Sequence, residues 1–451
     1  MVKQPHLSPL EQLKQTVFDG RYNSCFDGRM VQLFFIIIIC SVPFFKWRAL
    51  PGPSFMRVDW LAMGMLILLL APCVMMNKSS LSRLDSSIWG AYLLFLFMNV
   101  ISFLLSPFPD NASSGLVTLA QGFVLVVMTI LVVNPISIER ELFWAIVWST
   151  GIGALLACLG YFGGMEQFQQ EGSNRGVGAT LSSNNMAIMC IFAYPLVVYA
   201  AVYAKSGGGK LVGFLFTLFV VGGIVGTLSR AGFLVMLLTS ALLLNQYKGK
   251  FQVRYFGLVI AAFSVFAVVA VLFTPDDFVE RQLSLVSDEP AQDRSLDRRS
   301  AYVTVAFDAF QDNPVIGTGP DTFKAHWVRS VETRFFDMEE RPAHNTYLEV
   351  LVANGSIGFI IFLVLLGKMY SNFNSAEKNL RLHGLERESH LASAFKLSFI
   401  GICLYFFFKS GLEHKYFLLL IGLAGAIKHY EAFKLEQQQL EQQGALPEHL
   451  E

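Results

Sequence analysis

Charged side chains are scarce in this 451-residue chain. They make up 15% of its residues, against about 25% in an ordinary soluble domain. The 34 lysines and arginines balance the 34 aspartates and glutamates, so the formal net charge is zero. A protein that binds nucleic acid carries a basic excess on its binding face, and the balanced charge therefore argues against a nucleic-acid partner.

Cysteine is also sparse and carries no ligand pattern. The six cysteines form no CxxC pair, and they stand singly, mostly within apolar runs. In such surroundings a cysteine is usually a small buried hydrophobe and not a ligand. The sequence therefore predicts neither a disulfide framework nor a metal centre.

Motifs for nucleotide binding and for hydrolysis are missing as well. The chain has no DxD triplet, no GxxxxGK[ST] loop, no GxSxG elbow and no HExxH helix. The connections on the predicted cytoplasmic side are too short to hold a nucleotide-binding domain. Nucleotide sugars and ATP are therefore poor candidates as energy sources, and any group transfer needs a donor that is already activated, such as a lipid-linked diphosphate.

Apolar residues are what the chain has in abundance: 54% of it is hydrophobic and 14% is aromatic. A bilayer core of about 30 Å is crossed by roughly 17 to 25 apolar residues in a helix. The sequence predicts an all-α polytopic membrane protein with about twelve transmembrane helices. The predicted spans are residues 30–45, 59–76, 88–106, 115–133, 142–162, 184–204, 211–228, 231–246, 255–273, 348–370, 391–410 and 416–429.

Lysine and arginine are unevenly distributed between the two sets of connections. If the N-terminus is cytoplasmic, most of these residues fall on the cytoplasmic side, as the positive-inside rule requires. Both termini are then inside the cell and the one long polar loop is outside. The predicted divisions are a cytoplasmic tail (1–29), nine spans (30–273), an outer loop with the catalytic elements (274–347), three spans (348–430) and a second cytoplasmic tail (431–451).

His344 closes the outer loop and is the first candidate catalytic residue. A histidine titrates near neutral pH, and the nearby Arg341 would lower its pKa and keep the ring neutral, as a general base requires. The alternative is an interfacial histidine that only hydrogen-bonds the loop.

Arginines on the same predicted side form the second group of candidates. Arg175 lies in a glycine-rich segment, Arg230 lies in the break between the seventh and eighth spans, and Arg298 and Arg299 open a predicted helix that ends at Asn313. Guanidinium groups bind phosphate and diphosphate with paired hydrogen bonds. The alternative for each arginine is anchoring to lipid headgroups.

Three segments in this order resemble the O-antigen ligase and O-antigen polymerase family of bacterial membrane glycosyltransferases. The first is the turn Ser229-Arg230-Ala231-Gly232. The second is Arg299, fifteen residues before the Pro-x-x-Gly-x-Gly turn at Pro314, and the third is His344-Asn345-x-x-Leu348 followed by Gly355-x-x-Gly358. Arg175 and Asn185 resemble a looser pattern, in which Asn184 stands where the family usually has proline.

The resemblance implies metal-independent, inverting transfer of a glycan from an undecaprenyl-diphosphate carrier, with no cofactor. Arg230 and Arg299 would hold the diphosphate with help from Arg175, and His344 would position or deprotonate the acceptor hydroxyl. The nearest rivals for these roles are Arg298 and His326. The resemblance also implies a bacterial inner membrane location, with the 274–347 loop and the active site in the periplasm.

The family resemblance leaves the acceptor open. A ligase of lipopolysaccharide biosynthesis transfers the glycan to lipid A-core, a polymerase of O-antigen or exopolysaccharide transfers it to another lipid-linked repeat unit, and a third variant transfers it to protein. A transporter of lipid-linked sugar is the rival from another class, because it would also have about twelve helices and an arginine-lined cavity. Internal repeats are expected of a transporter, and none is evident here.

Overall fold

The computed structural model describes residues 28–47, 57–76, 87–247, 295–336 and 339–442. Within these ranges the fold is helical, with an isolated β-bridge between Gln169 and Gly176. The helices are α1 (Arg29–Ser41), α2 (Val58–Met76), α3 (Ser87–Leu104), α4 (Pro109–Val132), α5 (Phe143–Tyr161), α6 (Ser183–Tyr203), α7 (Gly207–Gly226), α8 (Arg230–Tyr247), α9 (Ser295–Asp312), α10 (Phe323–Arg329), α11 (Thr346–Leu382), α12 (Glu386–Tyr405) and α13 (Lys415–Gln442).

The all-helical fold is confirmed for the described part of the chain, whereas the number of membrane crossings stays a prediction. Among the described residues, five helices are long and apolar enough to cross a membrane: α4, α6, α7, α11 and the segment Pro135–Tyr161 that contains α5. Shorter apolar helices occupy Arg29–Ser41, Val58–Pro72 and Ile88–Leu104. The predicted ninth span, residues 255–273, lies outside the described residues, and so does the predicted boundary between residues 273 and 274.

Helix α6 lies at the centre of the bundle and packs against α5, α7, α8 and α12. Its first turn is capped by the Ser182 hydroxyl, which accepts a hydrogen bond from the Asn185 amide at 3.2 Å. Such a cap satisfies one of the amide groups that a helix start leaves without a partner. Nearly all of the apolar side chains of α6 are buried in the main hydrophobic core.

Glycines allow α5 and α7 to approach closely. A Cβ atom on Gly222 would lie 2.9 Å from the Cys158 sulfur, and one on Gly226 would lie 3.0 Å from Tyr161. On α5, Gly151 lies so close to the Phe216 ring of α7 that a side chain larger than hydrogen would not fit. Small residues that bring two backbones together are typical of helix contacts in membranes.

Contacts between helix ends gather the candidate site at one end of the bundle. Helices α6, α8 and α11 begin at this end, while α7 and α12 finish there. The Tyr405 hydroxyl at the end of α12 lies 3.2 Å from the Ser229 hydroxyl before α8 and 3.5 Å from Asn184 in α6. This end of the bundle is called the site end below.

Candidate active site

A three-residue turn between α7 and α8 places Arg230. Leu228 has a φ angle of +52°, which is uncommon for a residue with a branched side chain. The Ser229 hydroxyl accepts a hydrogen bond from the Gly232 amide at 3.1 Å and caps α8. Arg230 is therefore the first residue of α8 and lies at the site end. The predicted break between the seventh and eighth spans is confirmed.

Arg175 is brought to the same turn by the connection between α5 and α6. Its Nε donates a hydrogen bond to the Thr227 carbonyl oxygen at 2.8 Å, where α7 has just ended. The next residue, Gly176, donates its amide hydrogen to the Gly226 carbonyl at 2.7 Å. The structure thus brings Arg175 to the segment that carries Arg230, although the two are 55 positions apart in the sequence.

Arg299 lies near the start of α9, whose inward face is apolar. Tyr302, Val305 and Ala306 on this face are buried against Trp327 and the residues around Ala343. The predicted helix ending before Asn313 is confirmed. The Arg299 guanidinium lies 5.9 Å from the centre of the Phe408 ring, within the range of a cation–π contact.

His344 lies between α9 and the segment that follows α12. Its φ angle is +51°, a conformation that turns the chain sharply into α11. The centre of its ring is 6.0 Å from the centre of the Tyr302 ring, which is three residues after Arg299 on α9. The Asn345 side chain then caps α11 by accepting hydrogen bonds from the Tyr347 and Leu348 amides at 3.0 and 3.2 Å.

The histidine ring is held in its neutral form by its surroundings. Burial is the largest effect, and the charges of Lys409, Arg299, Arg341 and Arg298 add to it, so that the pKa of His344 falls to about 4. The predicted direction of this shift is confirmed. The predicted cause was the neighbouring Arg341, whereas burial and Lys409 contribute more. Of the two rivals on α9, Arg299 acts on the ring more strongly than Arg298 does.

The segment 406–414, between α12 and α13, forms part of the site and was missed in the sequence. The Thr346 amide donates to the Phe406 carbonyl at 2.9 Å, and the Thr346 hydroxyl donates to the Lys409 carbonyl at 2.7 Å. These bonds fasten the residues after His344 to the segment that carries Lys409. The sequence signal was a group of charged residues between two apolar runs, but nothing in it indicated which loop they would contact.

Glu349, in the first turn of α11, was also missed. One of its carboxylate oxygens accepts hydrogen bonds from the Ala343 amide at 2.9 Å and from the Ser410 hydroxyl at 2.6 Å. The carboxylate thereby joins the backbone just before His344 to the segment after α12. An acidic residue in the first turn of a helix is common, so its position gave little reason to single it out.

The rival His326 lies elsewhere. Its ring packs edge-on against Phe108 with the ring centres 4.7 Å apart, and its Nε2 is 3.1 Å from the Thr318 hydroxyl. Burial also lowers the pKa of His326, but the charged groups that act on it are Asp312 and Arg329 and not the cations around His344. The structure thus separates this histidine from the cationic group.

The glycines of the Pro-x-x-Gly-x-Gly turn and of the Gly355-x-x-Gly358 motif lie where a loop packs against a kinked helix. Gly355 interrupts α11 with a φ angle of +59°, and a Cβ atom there would lie 2.4 Å from the Val315 carbonyl. Across the kink, the Gly319 amide donates to the Ala353 carbonyl at 2.9 Å and the Ser356 amide donates to the Pro314 carbonyl at 2.8 Å. These motif residues therefore have a structural role, because they fix the start of α11 and with it His344.

Among the described residues, no group of three or more histidine, cysteine, aspartate and glutamate side chains could hold a metal ion. The charged groups that act on the neutral His344 are cationic: they are Lys409, Arg299, Arg341 and Arg298. An arrangement of this kind suits an anionic ligand next to a proton acceptor.

A comparison with known families gives one match. Residues 214–363 match the family described as O-antigen ligase. The matched range, a third of the chain, contains Arg230, Arg299 and His344, and the family predicted from the sequence is confirmed on it. Arg175 precedes the range, so the match does not bear on it, and the structure places it at the turn before Arg230. A search of curated proteins finds no match.

Proposed function

We propose, from the match of residues 214–363 to the O-antigen ligase family, that this chain transfers a glycan from an undecaprenyl-diphosphate carrier to an acceptor hydroxyl. The match supports a function in polysaccharide biosynthesis. The observation that carries the finer proposal is the neutral His344 in the midst of four cationic side chains. A base and an anion site are the two elements that this reaction needs.

The cationic side chains would bind the leaving group. A sugar diphosphate reacts by losing the diphosphate from its anomeric carbon, and charge builds up on the departing oxygen. Preorganised guanidinium groups stabilise such charge and need no rearrangement during the reaction. Arg299 and Arg230 are proposed to contact the diphosphate directly. Arg175 is proposed to assist from the turn before Arg230, since its Nε is already bonded to the Thr227 carbonyl.

His344 would accept the proton of the acceptor hydroxyl. With a pKa of about 4 the ring is unprotonated at neutral pH. The acceptor oxygen attacks the anomeric carbon as the bond from that carbon to the diphosphate breaks, and the hydroxyl proton passes to the histidine. A single displacement of this kind inverts the configuration at the sugar, and it requires no metal ion.

The location in the cell follows the same proposal. The chain would lie in the bacterial inner membrane with both termini in the cytoplasm, and the site end would face the periplasm, where lipid-linked glycans are presented. One feature of the structure supports a transferase over a transporter. The candidate residues lie at one end of the bundle, whereas a transporter binds its substrate near the middle of the membrane.

The proposal is tested by reconstituting the purified protein in liposomes with a fluorescent undecaprenyl-diphosphate glycan. Lipid A-core and a second lipid-linked repeat unit are supplied as acceptors in separate reactions. We expect a new, larger glycan product with one of them, and the acceptor that reacts distinguishes a ligase from a polymerase. Movement of the donor across the bilayer without a new glycosidic bond would instead identify a transporter.

A further inference from the structure

The first turn of α11 supplies hydrogen-bond partners for the end of α12. A helix leaves its last carbonyl groups without partners inside the helix. The Cys403 carbonyl, in the last turn of α12, accepts a hydrogen bond from the Tyr347 hydroxyl at 2.9 Å. The Phe406 carbonyl, just beyond that turn, accepts one from the Thr346 amide at 2.9 Å. The start of α11 therefore determines where the following segment leaves α12.

The Thr346 hydroxyl bridges two backbone groups of that segment. It donates a hydrogen bond to the Lys409 carbonyl at 2.7 Å and accepts one from the Gly411 amide at 3.0 Å. Thr346 is fully buried, so water does not reach the hydroxyl. A short side chain can donate and accept at one atom if it carries a hydroxyl group. Threonine at this position therefore fits the turn it contacts, in addition to starting a helix.

Glu349, one turn later in α11, attaches the same segment a second time. One of its carboxylate oxygens accepts hydrogen bonds from the Ser410 hydroxyl at 2.6 Å and from the Ala343 amide at 2.9 Å. Ser410 lies between the two residues that bond to the threonine hydroxyl. The chain on both sides of His344 is thus fastened to one short turn after α12.

This turn carries two side chains that act on the candidate active site. The Phe408 ring has its centre 5.9 Å from the Arg299 guanidinium. The positive charge of Lys409 lowers the pKa of His344, and its effect is the largest among the neighbouring charges. The other charges that act on this ring belong to residues that precede it in the chain, namely Arg299, Arg341 and Arg298. Electrostatic effects weaken with distance, so a displaced turn would alter the arginine and the histidine together.

We propose that Thr346 is a positioning residue, whose hydroxyl holds Phe408 and Lys409 at fixed distances from Arg299 and His344. It acts on the proposed transfer reaction through these residues and does not itself touch substrate. Without the hydroxyl, the two backbone groups bonded to it would lose their partner, which is unfavourable, and the turn would move. The proposal rests on the transferase function proposed above, but its first consequence is a property of the protein without substrate.

The test compares Thr346→Val with Thr346→Ser in full-length protein in lipid nanodiscs. Valine has nearly the shape of threonine but can neither donate nor accept a hydrogen bond, whereas serine keeps the hydroxyl. The pKa of His344 is measured by NMR with isotope-labelled histidine, and His344→Asn identifies its signal. In the valine variant Lys409 should lie farther from the ring, and the pKa should rise by about one unit. The serine variant should keep the parental pKa.

The affinity for undecaprenyl diphosphate without sugar is the second measurement. A displaced Phe408 ring no longer faces the Arg299 guanidinium. In Thr346→Val we therefore expect the Kd to rise about three- to fivefold, as for the loss of one cation–π contact. In Thr346→Ser the Kd should stay at the parental value.

Two further variants make the result independent of folding. Thr333 is a buried threonine of the outer loop, and its hydroxyl donates to the Ser330 carbonyl at 2.8 Å. Thr333→Val loses a comparable hydrogen bond, and neither measurement should change. Ser410→Ala removes only the bond to Glu349 and should shift both measurements in the same direction as Thr346→Val, by less. If the valine variant at Thr346 does not fold, Ser410→Ala decides the test.

The outcomes separate this inference from the proposed function. Parental values in Thr346→Val, or equal changes in Thr346→Ser or Thr333→Val, would overturn the positioning role even in a protein that transfers glycan. Parental values in Ser410→Ala would overturn it where the valine variant is unfolded. If the expected shifts occur but the parent protein forms no glycosidic bond with any acceptor, the transferase function fails and the positioning of Lys409 by Thr346 remains.

Discussion

The two ends of the helix bundle use ionisable residues differently. At the end away from His344, acids and bases are paired with each other, both between helices and within one helix. These pairs are Glu377 with Lys396 and Arg381, Glu431 with Lys428, and Glu139 with Lys434. At the site end, ion pairs also occur, such as Lys324 with Asp321 and Lys415 with Asp59, but the charges of four cations act together on the neutral ring of His344. Paired charges fasten helices together, whereas separated charges create a field that can bind a ligand.

Placing like charges together at the site end lowers the stability of the fold, and this loss of stability indicates that the site end is functional. Like charges placed together destabilise a fold, and strongly shifted pKa values concentrate at functional sites for that reason. The pKa of His344 is lowered to about 4 by burial and by four neighbouring cations. Charges that served only to hold helices together would be arranged as at the opposite end.

The largest loss of activity is expected from His344→Asn at the site end. Asparagine tolerates the left-handed backbone conformation of this position better than alanine does, so the variant tests the ring and not the turn. Removing a general base costs about 10² to 10⁴ in rate. The measurement is the initial rate of glycan transfer in liposomes, with donor binding as a second reading, which should be unchanged.

The matched control is His326→Asn, which removes the other histidine ring in the loop. It should retain transfer at a rate near that of the parent protein. If His344→Asn retains parental activity, or if the His326 variant loses as much, the assignment of the base to His344 is wrong.

The next largest effect is expected from Arg299→Lys and Arg230→Lys. Lysine keeps the positive charge but loses the paired hydrogen bonds of the guanidinium group. We expect a drop of about ten- to a hundredfold in kcat/KM for the donor, equivalent to one or two charge-assisted hydrogen bonds. Arg329→Lys is the control, because Arg329 stacks on Phe108 at 4.4 Å, away from His344. Equal rates in all three variants would rule out direct contact with the diphosphate.

Much of the site end was predictable from local sequence patterns. The turn at Ser229 and Arg230 was evident because two apolar runs meet there with almost nothing between them. Helix α9 was evident from its regularly spaced apolar residues. His344 was evident as a histidine at the boundary between a polar loop and an apolar run. Each of these signals depends only on residues that are close in the chain.

The remaining parts depend on contacts between distant residues, which a single sequence does not reveal. The Thr346 hydroxyl reaches the carbonyl of Lys409, 63 positions later, and the Asn354 amide reaches Asn99, 255 positions earlier. For this reason Lys409 and Glu349 were not predicted. The pKa of His344 was predicted in direction only, because its main cause is burial.

A smaller effect is expected on the pH dependence of the reaction. His344 must be unprotonated to act, so activity should be constant above about pH 5 and fall as the pH drops through its pKa of about 4. In Lys409→Met the positive charge that acts most strongly on the ring is lost, and the pKa of His344 rises. The acidic limb of the kcat/KM profile should therefore move to higher pH.

Lys324→Met is the control for this shift. Lys324 is paired with Asp321 and is not among the cations that act on His344, so the acidic limb should keep its position. A Lys409 variant whose acidic limb stays in place, or moves to lower pH, would show that the titrating group is not this histidine.

The smallest effect on turnover is expected from the opposite end of the bundle. Lys396→Met removes one partner of the largely buried Glu377, while Arg381 still contacts that carboxylate at 2.6 Å. The variant should lose roughly 1 to 3 kcal/mol of stability, less than the 3 to 5 typical of a fully broken buried pair. Thermal melting measures this loss, and transfer per folded molecule should be unchanged. A fall in kcat/KM at full folding would mean that the two ends are coupled, and that the pairs at the opposite end do more than hold helices together.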